Sequence, residues 1–276
     1  METSHLRILL TGASSGIGWH LTKLLAQDGT NRILAIARHT EAIPSKTGVI
    51  FPFQVDFSLP EEIDRCFLYA KEQWGGIDVC IANAGFAYRE CLQESGLSGD
   101  AYWKHIHKIF ETNTIGQIYA LQAFTDLKTN PNPEFRRRLF VSTISAVAMV
   151  PLPYYALYCS TKSALDGFLK TYDYEKPAWL RLMRVYPVAT KTDFFCKAAQ
   201  EECPLLPFLR QKPEKVAQAV FKGIRKGRYK VYPSKLFAMA YPFMRALPFL
   251  SRLYSRHERI KMQRHFQQTD KMSRRM

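Results

Sequence analysis

Residues 6–18 read LRILLTGASSGIG. The run Leu6–Leu10 is rich in Leu and Ile and reads as a strand, with no secretory leader fitted in front of it. The chain then turns at Thr11, and a helical pattern opens at Ile17. Gly12, Gly16 and Gly18 fall in between. Lacking side chains, they allow a tight turn and a close backbone approach to a ligand. The helix that follows presents free N–H groups and a partial positive charge to an anion. Strand, glycine turn and helix in that order make a pyrophosphate cradle out of what would otherwise be an ordinary loop. Gly12, Ser14, Ser15, Gly16, Ile17 and Gly18 are the expected contacts.

Working outward, apolar runs alternate with helical patterns, as a parallel βαβ sheet requires. The expected strands are Leu6–Leu10, Arg32–Ala37, Val49–Val55, Ile77–Ala82, Arg138–Ser142, Arg181–Val185 and Tyr229–Tyr232. The expected helices are Ile17–Asp28, Pro60–Gln73, Asp100–Leu127, Tyr155–Thr171 and Pro213–Lys226. The 276 residues suit one α/β domain over 1–232, followed by an extension over 233–276. Residues 188–212 lack a clean period and carry prolines. They are expected to form a loop or short-helix lid, with Phe194, Phe195, Leu205, Leu206, Phe208 and Leu209 as an apolar lining.

Arg38 follows the second strand. An acid there would take the adenine ribose hydroxyls, whereas an arginine favours a 2′-phosphate, hence NADP(H) with NAD(H) as the lesser cofactor. Asp56 after the third strand is placed to hold the adenine amino group. Asn83, Ala84 and Gly85 close the fourth strand, where small residues let a cofactor lie close.

The stretch 154–162 reads YYALYCSTK. Tyr158 and Lys162 are four apart and share one helix face. A phenol titrates near 10, and a neighbouring ammonium is expected to lower that value. Tyr158 can then exchange a proton with a substrate oxygen. Ser145, just past the fifth strand, can hydrogen-bond the same oxygen. Ser142 is the alternative hydroxyl, but it should point from within the strand. Asn113 can hold a water linking Lys162 to solvent. Tyr154 and Tyr155 have no lysine four residues on.

On TGASSGIG, Asp56, the NAG at Asn83, Asn113, Ser145, YCSTK and YPVATKT, the chain resembles the short-chain dehydrogenase/reductase family over about residues 5–232. The resemblance implies a Rossmann-type, doubly wound parallel sheet of seven strands in the order 3-2-1-4-5-6-7. It implies an Asn–Ser–Tyr–Lys mechanism on Asn113, Ser145, Tyr158 and Lys162, and Thr192 as the anchor of the nicotinamide carboxamide beyond Pro187. It also implies a homodimer or homotetramer built on the helices bearing Asn113 and Tyr158. Val188 stands where the family usually has glycine, Ala148 replaces another common glycine, and Ala82 stands for a usual Asn. The expected activity is hydride transfer between NADP(H) and a ketone or secondary alcohol. The other class of function is a cofactor-binding sensor or scaffold without turnover.

The net charge of +15 lies entirely in residues 204–276, which carry 18 Lys and Arg against 3 Asp and Glu. Three readings fit this tail. It packs on the substrate cleft or a partner subunit, it rests on an anionic membrane surface, or, least supported, it contacts nucleic acid. The second would suit a lipophilic substrate. Six scattered cysteines form no CxxC. They give no metal site and suit a reducing, cytoplasmic setting with free thiols, peripheral to a membrane if the tail docks there.

Overall fold

A computed structural model describes residues 4–90, 96–199, 207 and 210–273, apart from the side chains of 199 and 265–273. Among the described residues the strands are β1 (Arg7–Thr11), β2 (Arg32–Ala37), β3 (Ile50–Gln54), β4 (Val79–Ala82), β5 (Arg138–Thr143), β6 (Leu180–Val185), β7 (Ala189–Thr190), β8 (Arg210–Gln211) and β9 (Lys230–Val231). The helices are α1 (Gly16–Leu25), α2 (Pro60–Trp74), α3 (Gly99–Phe110), α4 (Gly116–Thr125), α5 (Ala156–Tyr172), α6 (Phe194–Ala199), α7 (Pro213–Arg225), α8 (Lys235–Ala246) and α9 (Pro248–Ser273).

Seven strands make one parallel sheet in the order β3-β2-β1-β4-β5-β6-β9. The expected doubly wound order holds, with β9 in the seventh place. Helices cover both faces, so the central strands are apolar on both sides rather than alternating. Ile8, Leu10, Ile33 and Ile81 pack on the side of α1 and α7, while Leu9, Leu34, Cys80 and Phe140 pack on the side of α2, α4 and α5. The strand order reverses between β1 and β4, and a crevice opens at the C-terminal ends of the strands there.

Three features depart from the sequence reading. The helix expected over Asp100–Leu127 is two helices joined by a π-helical turn, Glu111–Ile115, with Asn113 at its centre. A Cβ on Gly116 would lie 2.3 Å from the Phe57 carbonyl oxygen, so α4 passes too close to that loop for any larger residue. In the described part of 188–212 the expected short helix is present as α6, but β7 also pairs in parallel with β8, a pairing the sequence did not announce. Leu205, Leu206, Phe208 and Leu209 lie outside the described residues. Among the cysteines, Cys66, Cys80 and Cys159 are free thiols, but Cys196 is disulfide-bonded. The expectation of six free thiols is therefore corrected at Cys196, while Cys91 and Cys203 lie outside the described residues.

The tail is helical and packs against the body. Phe237, Tyr241 and Met244 of α8 meet Ala146, Val150, Val188 and Tyr232. Met262 of α9 joins Tyr155, Tyr158 and Phe195, and the Ser255 hydroxyl donates to the Pro151 carbonyl at 2.8 Å. Glu258 is fully buried beside Lys261. Val188, which replaces a usual glycine, thus has its side chain in the seam between tail and body.

Candidate active site

The glycine turn is built as its sequence required. Gly12 and Gly16 have φ of 70° and 54°, a left-handed region that favours glycine. A Cβ on Gly18 would sit 2.0 Å from the Gly12 carbonyl oxygen, so the start of α1 presses onto the turn. Gly18 packs under the cradle rather than lining it. Ser15 caps α1 without a side-chain hydrogen bond, and the first turn holds no acid. The helix N-terminus is therefore open to an external anion. Thr192 lies against Gly16, its Cγ2 3.1 Å from where a Cβ would stand. Its hydroxyl accepts the Phe194 N–H at 3.3 Å at the start of α6.

From this turn a cleft of about 520 Å³ runs to the candidate catalytic residues. Its walls include Ser14, Ile17, Arg38, Asp56, Asn83 to Gly85, Ser145, Tyr158, Lys162, Pro187 and Thr192. Arg38 is exposed at the rim beyond β2, next to His39. Asp56 accepts from the Ser58 N–H at 3.0 Å and from its hydroxyl at 2.7 Å through one carboxylate oxygen. Asn83 ties three strand ends together: its amide donates to the Thr11 carbonyl at 3.2 Å, and its Oδ1 accepts the Thr143 hydroxyl at 3.1 Å.

The candidate catalytic groups sit at the tip of β5 and the start of α5. Ser145 and Tyr158 line the same cleft. Burial raises the Tyr158 phenol above its ordinary 10, and the nearby Ser145 hydroxyl offsets only part of that rise. The expected lowering by Lys162 is absent. Its Nζ stands 6.0 Å from the Tyr158 ring centre, and burial pulls Lys162 itself down to about 7. Lys162 Nζ donates to the Thr143 carbonyl at 3.0 Å.

Asn113 lies one layer behind. Its Nδ2 donates to the Phe86 carbonyl at 2.7 Å and to Thr161 Oγ1 at 3.2 Å, while its Oδ1 accepts the Phe86 N–H at 3.0 Å. It staples the segment after β4 to α5. A Cβ on Gly85 would meet both Asn113 Oδ1, at 3.0 Å, and Lys162 Nζ, at 3.4 Å. Glycine there lets the two groups converge. Ser142, the alternative hydroxyl, is buried and donates to Gln117 Oε1 at 2.8 Å, which removes it from the site. Tyr155 is buried against Phe195.

Against known proteins, the family model for short chain dehydrogenases matches residues 7–202. The chain belongs to the short-chain dehydrogenase family. Human dehydrogenase/reductase SDR family member 11 is 28% identical over 77% of this chain and 85% of its own. The NADPH-dependent 1-acyldihydroxyacetone phosphate reductase of Saccharomyces cerevisiae is 28% identical over 72% of this chain and 66% of its own. An alcohol dehydrogenase from Thermococcus sibiricus, complexed with 5-hydroxy-NADP, superposes with a TM-score of 0.67 at 28% identity, covering 82% of this chain and 95% of its own. A short chain dehydrogenase from Burkholderia cenocepacia in complex with NADP shares the fold, with a TM-score of 0.76 at 21% identity over 92% and 99% of the two chains.

The short-chain dehydrogenase fold makes this protein a nicotinamide-dependent oxidoreductase, and the uncapped α1 terminus with its glycine turn fits a dinucleotide. Sequence reasoning missed Thr11, whose hydroxyl accepts the N–H groups of Asn83 and Ala84 at 2.9 Å. It missed Thr143, whose carbonyl orients Lys162. It also missed Phe237, Met244 and Tyr254, which reach the cleft from the tail. A threonine ending a strand is a weak signal for the first two, and only tertiary packing reveals the last three.

Proposed function

We propose that this protein is an NADP(H)-dependent reductase of lipophilic ketones, acting in reverse on secondary alcohols. The observation that carries the reading is that Ser145, Tyr158 and Lys162 line one cleft, which continues to the phosphate-binding turn. Gly12, Ser14, Ser15, Gly16 and Ile17 would hold the pyrophosphate, and Asp56 with Asn83 to Gly85 the adenine end. Lys162 would hold the nicotinamide ribose, with Thr192 beside the ring. The bound cofactor supplies or accepts hydride. Ser145 donates to the carbonyl oxygen and fixes it beside Tyr158. The Tyr158 hydroxyl, kept protonated by burial, gives its proton to that oxygen as the carbonyl carbon is reduced. Lys162 and a water at Asn113 return the proton from solvent.

Preference for NADP(H) rests on Arg38 at the rim, where no carboxylate competes for a 2′-phosphate. It accords with the NADPH-dependent yeast relative and the two NADP-type complexes. The lipophilic substrate rests on the apolar walls of the cleft: Val147, Val150, Leu152, Phe194, Phe195 and Met244. In solution, a homodimer through α4 and α5 would cover the exposed Ile115 and Phe168.

Replacing Tyr158 with Phe removes the proton donor and leaves the cradle intact. NADPH-dependent ketone reduction should fall at least ~10³-fold, with NADPH affinity by fluorescence titration within about threefold. Substantial residual turnover would overturn the assignment of the acid. Arg38→Ala should weaken NADPH at least ~10-fold and leave NADH unchanged. An equal loss for both cofactors would remove the NADP preference.

A further inference from the structure

The oxidoreductase chemistry leaves one large surface unused, the outer face of α8 and α9. We propose that this face docks the protein onto an anionic lipid membrane. On α8, Phe237, Tyr241 and Met244 point into the body. Leu236, Met239 and Phe243 form a second stripe, at spacings of three and four, that is 57–71% exposed. On α9, Phe249, Leu253 and Ile260 continue the exposure at 42–59%. Apolar stripes left in water beside one another mark an interaction site rather than a scatter of surface residues.

The charge around them selects the occupant. Lys235, Arg245, Arg252, Arg256 and Arg259 are exposed on the same two helices. The one acid between 233 and 264 is Glu258, which is fully buried beside Lys261 and lends nothing to the outer face. A second copy of this face would set cation against cation. A nucleic acid would use the cations and leave the aliphatic stripe in water. An anionic lipid surface uses both, with phosphates on the Lys and Arg and the stripe in the interface. No helix among the described residues is long and apolar enough to cross a membrane, so the contact is peripheral.

The inner face of the same pair reaches the cleft through Phe237, Met244 and Tyr254. The docked surface is thus one helix away from the site, which suits a substrate drawn from the bilayer. That last step rests on the oxidoreductase reading, whereas the docking does not.

The test is co-sedimentation of the full chain with phosphatidylcholine vesicles, alone or with about one-third phosphatidylserine. Binding should require phosphatidylserine and weaken at least ~10-fold between about 0.1 M and 0.5 M salt. The variant Phe243→Ser/Phe249→Ser/Leu253→Ser should bind at least ~10-fold more weakly, with NADPH affinity and turnover of a water-soluble ketone unchanged. A second variant, Arg245→Gln/Arg252→Gln/Arg256→Gln, should lose the phosphatidylserine preference, and it decides the matter if the first fails to fold. Three results would overturn the proposal: no pelleting of the wild type, unaltered pelleting of the charge variant, or binding to duplex DNA without binding to vesicles. So would a drop in sedimenting mass of the serine variant in the absence of lipid, which would show a self-association face. Pelleting is read without turnover, so an inactive but vesicle-bound wild type would sink the reductase and leave the docking standing.

Discussion

Lys162 shows how a site residue trades stability for function. Its ammonium is buried with the Thr143 carbonyl as its hydrogen-bond acceptor, and burial holds it at about 7 against 10.5 in the unfolded chain. Between those two values the unfolded chain binds the extra proton. Stability therefore rises with pH across this window, and below about 7 the full cost of the buried charge is present. Lys162→Met removes the cost and keeps most of the volume. The variant should be inactive, yet more stable than the wild type by roughly 2–4 kcal/mol at pH 6. The gain should shrink as pH rises and vanish above about 10.5. Thermal melts at three pH values check this. A variant that melts at or below the wild type at pH 6 would show that the burial cost is already offset. Tyr158 and Lys162 were legible in the sequence from their spacing, and Ser145 from its place just past the fifth strand. The direction of the Tyr158 shift was not. It depends on how much water the folded cleft excludes, and a pattern of residue types carries no measure of that.

At the scale of elements, the phosphate turn and the π-helical turn illustrate two degrees of legibility. The turn was readable because each glycine answers a local steric demand. The tightest is at Gly18, where a side chain would collide with backbone rather than with a flexible neighbour. Gly18→Ala must therefore push α1 off the Gly12 carbonyl. We expect a loss of roughly 2–3 kcal/mol in stability and at least ~10-fold in NADPH affinity, measured by denaturant unfolding and cofactor titration. Unchanged affinity would mean that the cradle tolerates a displaced helix. The π turn at Glu111–Ile115 was not readable. Its residues ETNTI fit an ordinary helical pattern, and the extra residue is stabilised by partners distant in sequence: Phe86 for Asn113 and the Thr161 carbonyl for the Thr114 hydroxyl at 3.0 Å. Such turns recur at functional sites because they re-aim one side chain without ending the helix.

For the whole molecule, the parallel sheet followed from the alternation of strands and helices and its strand order from the family resemblance, whereas the tail's placement followed from neither. Periodicity reports that α8 is apolar on more than one side, and it cannot say which side meets the body. Phe237 settles this, being 2% exposed among Ala146, Val150 and Val188. The tail also meets the body through Tyr241, Met244, Ser255 and Met262, and α8 and α9 are proposed to open as a unit while the sheet stays folded. Phe237→Ala would cost about 3–5 kcal/mol if that seam melted together with the core. On the present reading most of that cost falls on the seam. Brief trypsin treatment should then cut the variant at least ~10 times faster than the wild type at the exposed basic residues beyond Tyr232. The melting of residues 4–232 should move by no more than about 2 °C. Addition of NADPH should not slow that cleavage, because the expected cofactor contacts all lie before residue 193. A large fall in the main transition, with no selective cleavage, would show instead that tail and sheet fold as one cooperative body.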